Sequence, residues 1–344
     1  MSQLPIRLVI KNYDFLAPLA SGDIVAEDIA LELDRATGMD RFWDDPSFDA
    51  GEISFSQYLI RRSQGEDRFV GLPLFPTRGF RHRCFFVRRG SPLGNLSDLA
   101  GKRVGTNGWL DTGNTWSRAA LREAGVDIWG VDWTVGPVEN PATGAGNRPA
   151  ITLPTNVHPA PAGTSLVRLQ LAGELDALMI PYPPAGFYEP DSPTMRLIPD
   201  YRAAERAYLK RVGFYPAHHL IALRRDVFER DPWVAQSLFR ALETSRLRWQ
   251  QERLLLAETT PWMLPEIEEA MALLGADWQP NGLAPNRPMI AALCDEEYAQ
   301  RLVAQPIDPR EPFALWEQAG GVYGTPASDA LHPSESPDPR LSLL

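Results

Sequence analysis

The chain has 344 residues, 44% hydrophobic and 23% charged, a globular composition that suits two modest lobes better than one small core. A formal net charge of −10 excludes a protein built to displace counterions from nucleic acid. Two cysteines, Cys84 and Cys294, exclude a disulfide scaffold and a four-thiolate zinc site and read as buried thiols.

Ile6 to Ile10 (IRLVI) predicts a buried strand, and a helix pattern follows from about Val25 to Thr37. Asp49 to Ser54 is extended, and Ser56 to Arg62 starts a helix with Ser54 or Ser56 as its N-cap. Phe69 to Leu74, Cys84 to Arg88 and Gly101 to Thr106 predict strands. Trp116 to Ala124 predicts an amphipathic helix, and Trp129 to Val135 is β-like. Residues 137–163 are crowded with Pro, Gly, Asn and Thr, which predicts a long irregular insertion. Ser165 to Ala172 (helix), Ala177 to Pro181 (strand) and His219 to Arg224 (strand) precede helices over Pro232 to Leu256 and Pro265 to Leu274. Residues 321–344 read as a loosely attached tail. Short strands alternating with helices indicate an α/β architecture, with no G-x-G-x-x-G or Walker A sequence. No stretch approaches the ~20 apolar residues of a membrane span, and the N-terminus lacks a signal-peptide pattern, so a cytoplasmic protein without membrane or nucleic-acid partners is expected.

Of 34 basic residues only Lys11, Lys102 and Lys210 are lysines, and none sits in the setting of a desolvated nucleophile. The run Pro73-Leu-Phe-Pro-Thr-Arg78-Gly-Phe-Arg81-His82 places two guanidinium forks and an imidazole in one loop, a combination suited to a dicarboxylate. Gly105 to Arg118 follows a strand and enters a helix, carrying Asn107, Trp109, Thr112, Thr115, Trp116 and Arg118. Hydroxyls and backbone N–H groups at such a helix start form an anion cradle. Gly213-Phe-Tyr215-Pro216-Ala-His218-His219 leads into a strand, and Asp277 precedes Trp278 in a turn-forming context. Each has a structural alternative: His82 as a strand cap, His219 as a core histidine, Asp277 as a turn residue, Glu52 as a helix-terminal carboxylate, and Trp109 and Trp116 as core.

Taken together, these phrases resemble the 4,5-dihydroxyphthalate decarboxylase family. The family pairs a P-x-F-x-x-R-x-F-R-H segment with a later tryptophan–threonine–arginine stretch and a G-x-F-P-x-x-H strand entry, and the likeness runs in order from about Glu52 to Phe313. The family in turn resembles type II periplasmic solute-binding proteins, which implies a two-lobed α/β fold with an interlobe cleft. Lobe one would be 1–90 plus 215–320 and lobe two 95–210. The implied activity is a cofactor-independent decarboxylation of a hydroxylated aromatic (di)carboxylate by protonation of the ring carbon, with a divalent metal left open although no close ligand spacing supports one.

The implied roles give the proton to His82 or His219 and the base or orienting carboxylate to Glu52 or Asp277. Carboxylate binding falls to Arg78, Arg81 and Arg118 with Thr112 and Thr115, and Asn107, Trp109, Trp116, Tyr215 and His218 complete the lining. The implied partner is a small aromatic carboxylate, and a homo-oligomer is compatible. A non-catalytic solute-binding protein is the competing expectation. Two departures from the family bear on substrate. His218-His219 stands where methionine–histidine is usual, and Asn281 stands where the family has a tyrosine.

Overall fold

The computed structural model describes residues 3–36, 41–140 and 148–321. Eleven strands among them form two sheets. β1 (Leu4–Lys11) buries Ile6, Leu8, Val9 and Ile10 and is flanked in parallel by β2 (Ile29–Ala36) and β3 (Ala50–Ser54). β4 (Phe69–Leu72) ends the first chain passage through this sheet. After β4 the chain crosses into a second sheet made by β5 (Phe85–Arg88), β6 (Arg103–Thr106), β7 (Asp132–Val135), β8 (Val157–Pro159), β9 (Ala177–Met179) and β10 (Thr194–Arg196). It then returns as β11 (His219–Arg224), which inserts antiparallel between β3 and β4. The strand orders are β2-β1-β3-β11-β4 and β10-β5-β9-β6-β7-β8. The first sheet therefore joins strands far apart in sequence, and each sheet carries its own apolar cluster.

The two crossing segments run side by side. Arg78 and Ala217 form an antiparallel bridge, the Gly79 N–H donates to the Pro216 carbonyl at 2.9 Å, and the His218 N–H donates to the Thr77 carbonyl at 2.8 Å. This pairing satisfies backbone groups where the chain passes between lobes. It also holds both crossings at the base of the cleft.

Most sequence-predicted elements occur near their expected bounds. The Phe55–Ser63 helix is capped by Ser54, whose hydroxyl accepts from the Gln57 N–H. The Thr112–Glu123, Leu166–Leu171, Trp233–Leu255 and Met263–Leu274 helices are also present. The helix expected over Val25 to Thr37 is instead β2. Ile29, Leu31 and Leu33 alternate at the period of a strand, and the segment pairs with β1 residue by residue from Ile29 to Ala36. The insertion at 137–163 contains strand β8; its residues 141–147, and the tail beyond residue 321, lie outside the described residues. Cys84 and Cys294 are free and buried. No helix among the described residues is long and apolar enough to cross a membrane.

Candidate active site

A cleft of about 270 Å³ opens between the two sheets. Lys11, Ser54, Thr77, His218 and His219 line one wall, from strand ends of the first sheet and from the crossings. Asn107, Thr112, Gly113, Asn114 and Tyr182 line the facing wall, and Arg78, Arg81 and Arg83 come in along the crossing loop. Lys11 and Ser54 close β1 and β3 at their C-terminal ends, where open α/β sheets bind ligands.

Sheet register builds the first wall. His219 pairs with Ser54 and Ile221 with Glu52, so Glu52 and His219 are diagonal neighbours on one face. His219 Nδ1 meets Glu52 Oε1 at 2.5 Å, which leaves Nε2 as the ring nitrogen available to a ligand. Glu52 is 1% exposed, yet its carboxylate is well satisfied. The Tyr13 hydroxyl donates to Oε1 at 2.5 Å and the Lys11 N–H to Oε2 at 3.0 Å. Burial pushes the Glu52 pKa up, but the hydrogen bonds and charge of His219, with those from Tyr13 and Lys11, outweigh it and hold the carboxyl below its ordinary value. Burial and the adjacent Glu52 push the Tyr13 phenol the other way, so it stays protonated; it also hydrogen-bonds Thr77. A buried, ionised carboxylate thus fixes the tautomer and orientation of a cleft imidazole.

The facing wall is an anion cradle. Asp111 N-caps the Thr112–Glu123 helix through its backbone, with the Asn114 and Thr115 N–H groups donating to its carbonyl at 2.8 and 3.0 Å. The first N–H groups, at Thr112 and Gly113, are left at the positive end of the helix dipole. Gly113 lets the guanidinium come close, since a Cβ would meet the Arg81 guanidinium carbon at 3.0 Å. Arg81 Nε donates to Ser117 Oγ at 3.1 Å, and the fork lies over the helix start. Burial lowers the Arg81 pKa, a cost that an anion placed at the helix start would offset. Thr112 also joins the lobes, since its hydroxyl bonds Ser54 Oγ at 2.9 Å and accepts from the Ser56 N–H at 2.9 Å.

Several sequence-predicted residues lie elsewhere. Asp277 receives a two-pronged bond from Arg246 at 2.8 Å on each oxygen, and the same guanidinium binds Glu243, so Asp277 is part of a structural clamp. Arg118 is fully buried. It bonds Gln300 at 2.6 Å and the Trp109 carbonyl at 2.8 Å, lies 4.0 Å from the Trp109 ring, and does not line the cleft. Trp109 packs edge-on to Trp133, and Trp116 donates to the Ala217 carbonyl at 2.8 Å, so both tryptophans serve the core.

Thr115 is buried, its hydroxyl 3.2 Å from Ser56 Oγ, and Tyr215 packs on Phe80. Arg78 reaches the cleft edge, but its guanidinium is occupied by the Tyr215 and Pro280 carbonyls and Asn286. His82 is buried edge-on against Tyr208, outside the cleft lining, and burial pushes its pKa down to about 4. His218 lines the cleft with Nε2 2.9 Å from the Gly79 carbonyl; burial, then Arg81, lower its pKa well below the usual imidazole range. Asn281 is no cleft residue, because it holds the Phe75 N–H and Glu243.

Sequence reading missed Lys11, Tyr13, Thr77 and Tyr182. The signal for Lys11 was its place at the end of a buried strand; Tyr182 follows a strand in a loop whose fold alone brings it to the cleft, and Tyr13 reaches Glu52 and Thr77 behind the lining. Among the described residues no group of three or more His, Cys, Asp or Glu side chains is placed to share a metal ion.

No family model matches the chain. It is 27% identical over 322 residues to 4,5-dihydroxyphthalate decarboxylase of Comamonas testosteroni, covering 91% of this chain and 97% of that protein. It is 27% identical over 220 residues to 4,5-dihydroxyphthalate decarboxylase of Pseudomonas putida, covering 62% of this chain and 84% of that one. Among solved structures, the periplasmic aliphatic sulphonate binding protein of Escherichia coli superposes with a TM-score of 0.52 at 14% identity, over 90% of this chain and 97% of its own. Protein AF1704 of Archaeoglobus fulgidus gives 0.50 at 15%, over 87% and 98%. The chain has the two-lobed fold of periplasmic binding proteins, and its sequence resembles the 4,5-dihydroxyphthalate decarboxylases along nearly its whole length.

Proposed function

We propose that the protein is a decarboxylase of a hydroxylated aromatic carboxylate of the 4,5-dihydroxyphthalate type. The observation that carries this reading is the His219–Glu52 pair facing the Arg81 cradle across one cleft. A retained carboxylate docks at Arg81 and the Thr112–Glu123 helix start, and the ring extends toward His219.

Loss of CO2 from an aromatic ring needs an electron source and a proton at the departing carbon. A hydroxyl para to that carboxylate gives up its proton to cleft water, pushes its electron pair into the ring, and takes a proton back from water once CO2 has left. The ipso carbon takes a proton from His219 Nε2, forming a dienone. The C–C bond to the carboxylate then breaks, its electron pair restores aromaticity, and CO2 leaves. Glu52, ionised and bonded to Nδ1, stabilises the imidazolium before transfer and holds the ring in line. The substrate is its own electron sink, so this route calls on no organic cofactor.

A non-catalytic solute binder on the same fold is the rival reading. An imidazole buttressed by a buried carboxylate and a tyrosine favours proton transfer over mere capture. The test is CO2 release from 4,5-dihydroxyphthalate and related hydroxylated acids, with and without chelator. Turnover that survives chelation is the expected result; saturable binding without CO2 release from any of them overturns the reading.

A further inference from the structure

Lys11 is a cleft cation with no part in the scheme above. Lys11 ends β1 and lines the cleft beside Ser54, Thr77 and His219 on the wall facing the Arg81 cradle. No carboxylate among the described residues lies within ion-pair distance of its ammonium, whereas the neighbouring Glu52 is already shared by His219, Tyr13 and the Lys11 backbone N–H. In a chain with three lysines, one therefore stands in the cleft without a counter-charge. Arg81 lines the same cleft from the crossing loop, as does Arg83, which pairs with Glu205 at 3.9 Å. Lys11, Arg78, Arg81 and Arg83 outnumber the one lining carboxylate among the described residues, Asp111, so the empty cleft carries an excess of positive charge. A monoanion bound at Arg81 neutralises one wall only, and a dianion neutralises both.

We propose that Lys11 is the specificity-determining residue that selects dicarboxylates over monocarboxylates, by receiving the second carboxylate of a ligand whose first is held by Arg81 and the Thr112–Glu123 helix start. This rests on reading the cleft as an aromatic-acid site. An ammonium suits the second position better than a guanidinium: the carboxylate that departs must become neutral CO2, and a bidentate fork would hold its charged form more tightly than one rotatable donor does.

The test is calorimetric titration of benzene-1,2-dicarboxylate and of benzoate into the wild type, Lys11→Gln and Lys11→Arg, with melting temperatures as the folding control. The expected result is a wild-type preference for the dicarboxylate. Lys11→Gln should weaken that ligand by about 10- to 100-fold, the worth of one charge-assisted hydrogen bond, with benzoate affinity unchanged. Lys11→Arg should keep the preference. Equal weakening of both ligands, no weakening of either, or a wild type that does not favour the dicarboxylate overturns the proposal. CO2 release from the hydroxylated dicarboxylate is read separately. Selective loss in Lys11→Gln without turnover in the wild type would sink the decarboxylase and leave the dianion subsite, and turnover with unaltered selectivity would do the reverse.

Discussion

His219 and Glu52 are 167 positions apart in the chain and 2.5 Å apart in space. Replacing His219 by Asn removes the proton donor we propose and keeps the fold, so kcat should fall about 10²- to 10⁴-fold while the melting temperature holds. Glu52→Gln should lower kcat and also change acid stability. The folded carboxyl titrates below its ordinary 4.5, so its ionised form adds stability that is fully present above that value and lost as pH falls through the folded pKa. Acid unfolding of the Gln variant, followed by circular dichroism, should lose that component of the limb. Asp277→Asn should behave in the opposite sense to His219. It breaks the two-pronged bond to Arg246, costing about 1–3 kcal/mol of stability in denaturant titrations, with kcat unchanged.

At the scale of elements, the Thr112–Glu123 helix does two jobs, binding the first sheet's Ser54 and Ser56 through Thr112 and offering its start to the cleft. Gly113→Ala adds a methyl against the Arg81 guanidinium, the far end of a flexible chain, so the fold accommodates it while the fork shifts. KM for the carboxylate substrate should rise about tenfold with a smaller change in kcat, since a displaced fork costs ground-state and transition-state binding alike.

The Arg287–Ala299 helix buries Glu297 completely, and burial pushes its pKa up to about 8 against the pull of Ser56 and Arg118. The folded protein holds this proton when the unfolded chain has lost it. Stability should therefore decline as pH rises from about 4.5 to about 8, by at most ~1.4 kcal/mol per pH unit. Glu297→Gln should flatten that slope in denaturant titrations at stepped pH.

Across the whole molecule, the cleft exists because the chain leaves the first sheet after β4 and returns as β11, pairing Arg78 with Ala217 on the way. A ligand that contacts both walls stabilises the assembled molecule by mass action. A dicarboxylate at a hundred times its Kd should add about 2.7 kcal/mol, read as a rise in melting temperature. Arg81→Ala should abolish most of that rise.

Strands β1, β3, β5, β6 and β11 were legible from short apolar runs, and the cradle from Gly, Thr and Asn before a helix. These are local signals, carried by side-chain period and by turn chemistry. β2 was misread although Ile29, Leu31 and Leu33 alternate at the period of a strand, because the run is otherwise polar and its pairing with β1 is a contact no local window contains. The sequence by itself determined which residue types were present for the proposed aromatic-acid site, and that Arg81 and the helix start fall in segments able to reach a ligand. Only tertiary structure decided that His219, not His82, meets a carboxylate in the cleft, that Asp277 and Arg118 are spent on other partners, and that Lys11 faces the cradle. Those outcomes follow from sheet register and from competition among buried charges for partners, both of which depend on residues distant in the chain.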